Sequence, residues 1–269
     1  MRRCVLTLLI VVLFLVNNAW SQTGTFTKII PQIAIGSFDG GATKYSMVIE
    51  IINSNVISAN VSANFLNEDG SLTNLTFITN SSTVPTINNG ILTSLTLDPN
   101  KVLVISGGTT AGTTPSIGTI AWARIVTDAP VNIVMYLDQR AAATNALRSR
   151  IGMPVSPSNM AKFVIPRVRN VDTGLDVAFA LVNTAPTSTS LTVTLKGTDG
   201  STLGNRILTI NGSSHRALFT QELFPLINEP GGTNFQYIVF DAGTASQFAA
   251  VALAIEGGNQ TTFPVDVLR

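Results

Sequence analysis

The chain has 269 residues, only 12% of them charged, and a formal net charge of +1. An ordinary soluble domain carries about 25% charged residues, so there is no electrostatic footprint for nucleic acid or an anionic membrane surface. One His and one Cys remove most metal and thiol chemistry, while 45% hydrophobic residues are ample for a core and exclude wholesale disorder.

Residues 1–21 read as an export signal. Arg2 and Arg3 form a basic start, and residues 6–16 are apolar apart from Thr7. Ala19-Trp20-Ser21 then places small residues at the two positions a signal peptidase reads, so cleavage is expected between Ser21 and Gln22. The apolar run of about 11 residues is short of the roughly 20 needed to cross a bilayer, which disfavours a retained anchor. No membrane insertion is expected after cleavage. Cys4 precedes the apolar run, unlike a lipoprotein cysteine, and cleavage leaves a chain without cysteine or disulfide. It also removes two arginines and takes the net charge from +1 to −1.

The remainder reads as one unit written twice. Ile30-Pro31-Gln32 matches Ile165-Pro166-Arg167, and Asn67-Glu68-Asp69-Gly70-Ser71-Leu72 matches Gly197-Thr198-Asp199-Gly200-Ser201-Thr202. Leu95-Thr96-Leu97 matches Leu208-Thr209-Ile210, and Gly118-Thr119-Ile120-Ala121-Trp122 matches Gly232-Thr233-Asn234-Phe235-Gln236. Each copy closes on a similar phrase, Met153-Pro154-Val155 and Phe263-Pro264-Val265. A period of domain size is a duplication and not a solenoid. Within each copy the apolar residues alternate: Val61, Ala63, Phe65; Val131, Ile133, Met135, Leu137; Leu191, Val193, Leu195; Val251, Leu253, Ile255. Alternation buries one face of a strand. Asp69-Gly70, Asp199-Gly200 and Asn211-Gly212 supply the turns.

The expected fold class is therefore all-β. Two tandem antiparallel β-sandwiches of immunoglobulin-like size, related by internal duplication, span 22–157 and 158–269 behind the signal peptide. The Cys…Trp…Cys hallmark is absent, so the relation is architectural. Two stretches break the pattern. Residues 140–147, with Ala141-Ala142-Ala143, read as a short helix or a packed loop. Thr220-Gln221-Glu222-Leu223-Phe224-Pro225 reads as one helical turn closed by proline, with Leu223 and Phe224 plugging the end of the second sandwich. The proline-stiffened link 154–159 favours a fixed relation between the domains.

The second copy resembles exported proteins of environmental bacteria built from tandem β-sandwich domains. The resemblance lies in Ala178-Phe179-Ala180-Leu181-Val182-Asn183, Asp199-Gly200, Leu208-Thr209-Ile210, Leu223-Phe224-Pro225, Gly231-Gly232-Thr233 and Pro264-Val265. It covers most of residues 26–269, implies the tandem fold and carries no catalytic residues.

Few residues suggest chemistry. His215 follows Ser213 and Ser214, but neighbours on a strand face opposite ways, so Ser214 cannot easily pass a proton to it. No orienting carboxylate is implied, and His215 is expected to be structural or solvated. Zinc lacks ligands, and Asp39, Asp69, Asp199 and Asp241 are scattered turn acids without calcium-site spacing. No carboxylate pair stands out for glycoside hydrolysis. Neither a metal nor a cofactor is expected. Trp122 is expected in the core and Tyr136 at the surface. The Asn-x-Ser/Thr triplets at Asn60, Asn74, Asn80, Asn211 and Asn259 follow from the composition and are not taken as glycosylated.

The one local charge bias is Arg140, Arg148, Arg150, Lys162, Arg167 and Arg169. Tyr136 with Arg140, Arg148, Arg150, Arg167 and Arg169 is the candidate partner-binding set, against a plain solvated surface as the alternative. The expected function is a secreted or cell-surface binding, adhesion or structural module without enzymatic activity; the periplasm is the alternative compartment. Its partner would be a glycan, a matrix component or a protein, with self-association through edge strands as a further mode. A secreted hydrolase or carbohydrate-active accessory protein is the runner-up. A filament or surface-layer subunit is the third reading, and it requires residues 23–31 to be unpaired in the monomer. A flat row of exposed aromatics would favour glycan binding.

Overall fold

The computed structural model describes residues 24–107, 118–141, 143–225, 227, 231–245, 247–263 and 265–268. The export signal, with Ser21 and Gln22, lies outside them. The described chain is all-β, with one α-helical turn, Thr220–Leu223 (α1), and one 3-10 turn, Asp39–Gly41. Among the described residues no helix is long and apolar enough to cross a membrane.

The first half contains β1 (Phe26–Phe38), β2 (Thr43–Asn53), β3 (Ala59–Asn67), β4 (Phe77–Thr79), β5 (Thr86–Ile87), β6 (Ile91–Leu97), β7 (Lys101–Gly107), β8 (Thr119–Thr127), β9 (Asn132–Ala141) and β10 (Leu147–Met153). Sheet I has the order β5-β4-β7-β2-β9-β10, and sheet II the order β1-β8-β3-β6. β1 belongs to both: it pairs with β8 through Ile35 and with β2 from Gly36 onward. Gly36 sits at φ 106°, a conformation a side chain resists, and this lets the strand turn from one layer to the other. The alternating residues expected to face inward do so. Val61, Ala63, Phe65, Met135 and Leu137 join Ile30, Ile33 and Ile49 in one buried cluster, with Phe65 stacked on Phe77 at 4.0 Å. The described residues of 140–147 form neither helix nor packed loop: Arg140 and Ala141 end β9, Leu147 opens β10, and Leu147 pairs with Arg140.

The second half contains β11 (Lys162–Asn170), β12 (Asp176–Asn183), β13 (Thr189–Lys196), β14 (Thr202–Ile210), β15 (His215–Phe219), α1, β16 (Thr233–Asp241), β17 (Phe248–Glu256), β18 (Asn259–Phe263) and β19 (Asp266–Val267). Sheet III has the order β15-β12-β17-β18, and sheet IV the order β14-β13-β16-β11-β19. Strand for strand, β14-β13-β16-β11 repeats the order β6-β3-β8-β1, and β15-β12-β17-β18 repeats β7-β2-β9-β10. The segments matched in sequence occupy like places in these orders. The core holds Leu191, Val193 and Leu195 with Phe163, Phe179 and Phe240, and Leu223 of the helical turn and Phe224 just after it are buried with them.

Two local devices recur in both halves. Asn53 and Asn183 end β2 and β12 and are fully buried. Asn53 Nδ2 donates to the Leu97 carbonyl at 2.9 Å, and Asn183 Nδ2 to the Ile210 carbonyl at 3.2 Å. Each Oδ1 accepts the backbone N–H two residues on. A buried amide satisfied in this way pins the turn to the end of a facing strand. The Asp-Gly turns are alike too: Gly70 N–H donates to the Asn67 carbonyl and Gly200 N–H to the Gly197 carbonyl, both at 3.0 Å.

The packing of β17 differs from the alternation expected for it. Ala250, Ala252 and Ala254 face the second half's own core, while Val251 and Leu253 join the cluster of the first half. β17 is thus buried on both faces, which is why it reads as a continuous apolar run. The far face of sheet III meets β1 and β8, where Val182 and Ala249 pack on Ile29 and Trp122. The Trp122 ring is fully buried as expected, and its Nε1–H donates to the Asn67 carbonyl at 3.0 Å. The 154–159 connection is tied down on both sides. Ser156 exchanges backbone hydrogen bonds with Ile29, and its Oγ accepts Ala250 N–H at 3.1 Å. The unpaired N-terminal segment that the filament reading requires is not what the described residues show: β1 is paired with β8 of its own chain from Phe26 onward.

Candidate functional site

The six residues of the candidate partner-binding set lie in two places. Tyr136, Arg140, Arg148 and Arg150 share the β9–β10 hairpin. Tyr136 is on the face of sheet I opposite the buried Met135 and Leu137, as expected. Arg150 stacks its guanidinium 5.7 Å from the Tyr136 ring centroid and grips Asp138 with two hydrogen bonds of 2.6 and 2.9 Å. Arg140 adds a third at 3.2 Å. These contacts hold the Asp138 carboxyl below the usual range, the Arg150 hydrogen bond foremost. The one carboxylate offsets only part of the positive charge of the two guanidiniums, and Arg148 stands exposed beside them.

Arg167 and Arg169 do not belong to that surface, a correction to the expected cluster. On β11 the alternation Phe163, Ile165, Arg167 points inward, and Arg167 is 0% exposed. Its Nε donates to Thr220 Oγ1 at 3.2 Å, and its Nη1 bonds Gln236. Thr220 in turn donates to Asp176 at 2.8 Å. Arg169 reaches Gln221 at 2.6 Å and lies 3.9 Å from Asp176. These arginines close the α1 end of the second half. Burying a cation demands such partners, which pattern reading of a short basic cluster does not supply.

His215 is structural, as expected, but it is buried and joins the two halves. Its Nε2 is 2.9 Å from Gln32 Oε1, its backbone N–H donates to the Glu68 carbonyl at 2.8 Å, and its Nδ1 lies 3.7 Å from the Glu68 carboxylate. Desolvation pushes the imidazole down to about 4. The Glu68 carboxylate acts in the opposite direction, but it is more than half exposed, so screening weakens it and burial prevails. The Asp69-Gly70 turn seats against Ser213: a Cβ at Gly70 would lie 2.1 Å from the Ser213 carbonyl oxygen. Neither serine approaches the ring as a nucleophile. Ser214 Oγ donates to the Asn211 carbonyl and Ser213 Oγ points to the Ala185 carbonyl. Among the described residues no group of three or more His, Cys, Asp or Glu is placed to hold a metal.

A surface that residue-by-residue reading missed lies on the far face of sheet IV. The inward residues of β16 are Gln236, Ile238 and Phe240, so Phe235, Tyr237 and Val239 face outward. Phe235 is 61% exposed, and Tyr237 stands two residues along, about 7 Å away by strand geometry. Cross-strand pairing sets Pro166 beside Tyr237, Val164 and Thr194 beside Val239, and Thr192 beside Ile207, which is 67% exposed. Ser190 and Thr209 share a 2.8 Å hydroxyl contact on the same face. The signal was available as the aromatic alternation Phe235-x-Tyr237.

No protein-family model matches the sequence, and no curated protein matches it. Among solved structures, the apo form of Pleurotus ostreatus lectin has a TM-score of 0.22 and 14% identity, covering 93% of this chain and 82% of the lectin. The Pleurotus ostreatus lectin in complex with GalNAc has a TM-score of 0.24 and 12% identity, covering 91% and 86%. Scores this low do not mark a shared fold.

Proposed function

We propose that this chain is an exported, non-enzymatic binding module, made by duplication of one immunoglobulin-like sandwich, that holds a neutral glycan across the far face of sheet IV. The export signal is residues 1–21, and the module acts outside the cell or at its surface. The repeated strand order and the paired asparagine corners support the duplication. The exposed pair Phe235 and Tyr237 carries the binding reading. Aromatic faces stack on the C–H faces of sugar rings while nearby polar groups meet the sugar's hydroxyls, and this face sets Lys196 and Pro166 on either side of Tyr237, with Thr194 one outward position along and Thr192 the next. Lone exposed apolar residues are ordinary, but a contiguous patch on a sheet marks an interaction site. The only histidine is committed to a contact between the halves, which supports the non-enzymatic part of the reading.

The test is a glycan array probed with the purified protein. Binding to neutral polysaccharides is expected. Phe235→Ala and Tyr237→Ala should each weaken it about tenfold, the scale of one stacked ring, with unchanged thermal midpoints. Wild-type protein that binds no glycan, or variants that bind as tightly, would sink the reading.

A further inference from the structure

The two halves meet around a partly open apolar pocket. A cavity of about 260 Å³ lies between them, on the side of sheet III away from sheet IV. Four alanines create it: Ala34 of β1, Ala178 and Ala180 of β12, and Ala217 of β15. Phe38 and Tyr45 form an aromatic corner, edge to face at 5.3 Å, and Phe219 stands at the margin, 38% exposed. Two amides are the polar side chains besides Tyr45. Gln260 Nε2 donates to Tyr45 Oη at 2.6 Å across the two halves, and Gln32 faces His215.

We propose that this cavity binds a small, uncharged, mainly apolar molecule carrying one hydrogen-bonding group, of the class of a medium-chain alcohol. Protein interiors close-pack, and apolar voids stay dry and take apolar guests; a void of about 150 Å³ holds benzene. The present cavity has room for about ten heavy atoms by the same scale. Its lining excludes the other ligand classes. Among the described residues no charged side chain lines it, so a buried carboxylate or ammonium would go unpaired. A sugar ring would press its hydroxyls against alanine, leucine and isoleucine, at a cost for each unmatched group. A single polar end can meet the Tyr45–Gln260 pair. Domain interfaces are preferred places for such sites. This site is separate from the aromatic face of sheet IV, so either reading can fail without the other.

The probe is 1-octanol, titrated calorimetrically into the purified protein, with octanoate as the charged control. Saturable one-to-one binding of octanol is expected, with octanoate at least tenfold weaker. Ala178→Leu and Ala217→Leu each fill the cavity from a half-buried position, and binding should fall at least tenfold while the thermal midpoint holds or rises. If one variant fails to fold, the other decides. Absence of saturable octanol binding, equal binding of octanoate, or undiminished binding in a folded filled variant would each overturn the proposal.

Discussion

The first strands of the two halves begin alike and end with opposite duties. β1 carries Ile30-Pro31-Gln32 and β11 carries Ile165-Pro166-Arg167. β11 runs in unbroken register along β16, so Ile165 and Arg167 face the same interior. β1 slips against β8 between Ile30 and Ile33. One register step turns every later side chain to the other face. Ile33 therefore enters the core, and Gln32 leaves it to meet His215 of the other half. A single irregularity converts a core-closing position into the contact that joins the halves.

The comparison can be broken or sharpened by measurement. The largest effect is expected at Arg167. Its loss leaves Thr220 and Gln236 without their buried partner, and Arg167→Ala should cost about 3–4 kcal/mol in urea unfolding. A cost below that of Gln32→Ala would break the contrast.

Next is the pH response of the joint between the halves. His215 titrates near 6.5 unfolded and is held down to about 4 by burial when folded. Between these values the unfolded chain takes up a proton that the folded chain refuses. The stabilising contribution is complete above pH 6.5 and is lost as pH falls toward 4, to an extent of about 3 kcal/mol. Urea midpoints of wild type and His215→Gln should diverge at neutral pH and converge at pH 4.5. Parallel profiles would remove His215 from the account.

Where the halves are alike, equal effects are expected. Asn53→Ala and Asn183→Ala each orphan a buried carbonyl and a part-buried N–H, costing about 2 kcal/mol apiece. The smallest effect, about 1 kcal/mol, belongs to Gln32→Ala, and it should vanish in a His215→Gln background by double-mutant analysis.

Much of the architecture was legible because it is local. The alternation of Leu191, Val193 and Leu195 names a strand and its buried face without reference to anything distant, and Asp199-Gly200 names the hairpin that follows. The helical turn at 220–223 and the buried Trp122 were readable for the same reason. The candidate site was less legible. Arg167 and Arg150 look equivalent in a list of basic residues, yet one lies under Thr220 and the other over Tyr136. Phe235 and Tyr237 differ from buried aromatics only in the phase of their strand, which Ile238 and Phe240 set.

The sequence by itself determined an all-β chain and the order of its turns, since these follow from side-chain period and turn chemistry over a few residues. The tertiary structure alone decided that β1 slips at Gln32, that the alanines of β17 face inward and its valine and leucine outward, and that four alanines leave a cavity between the halves. Those outcomes depend on which surfaces, distant in the chain, compete to bury the same strand.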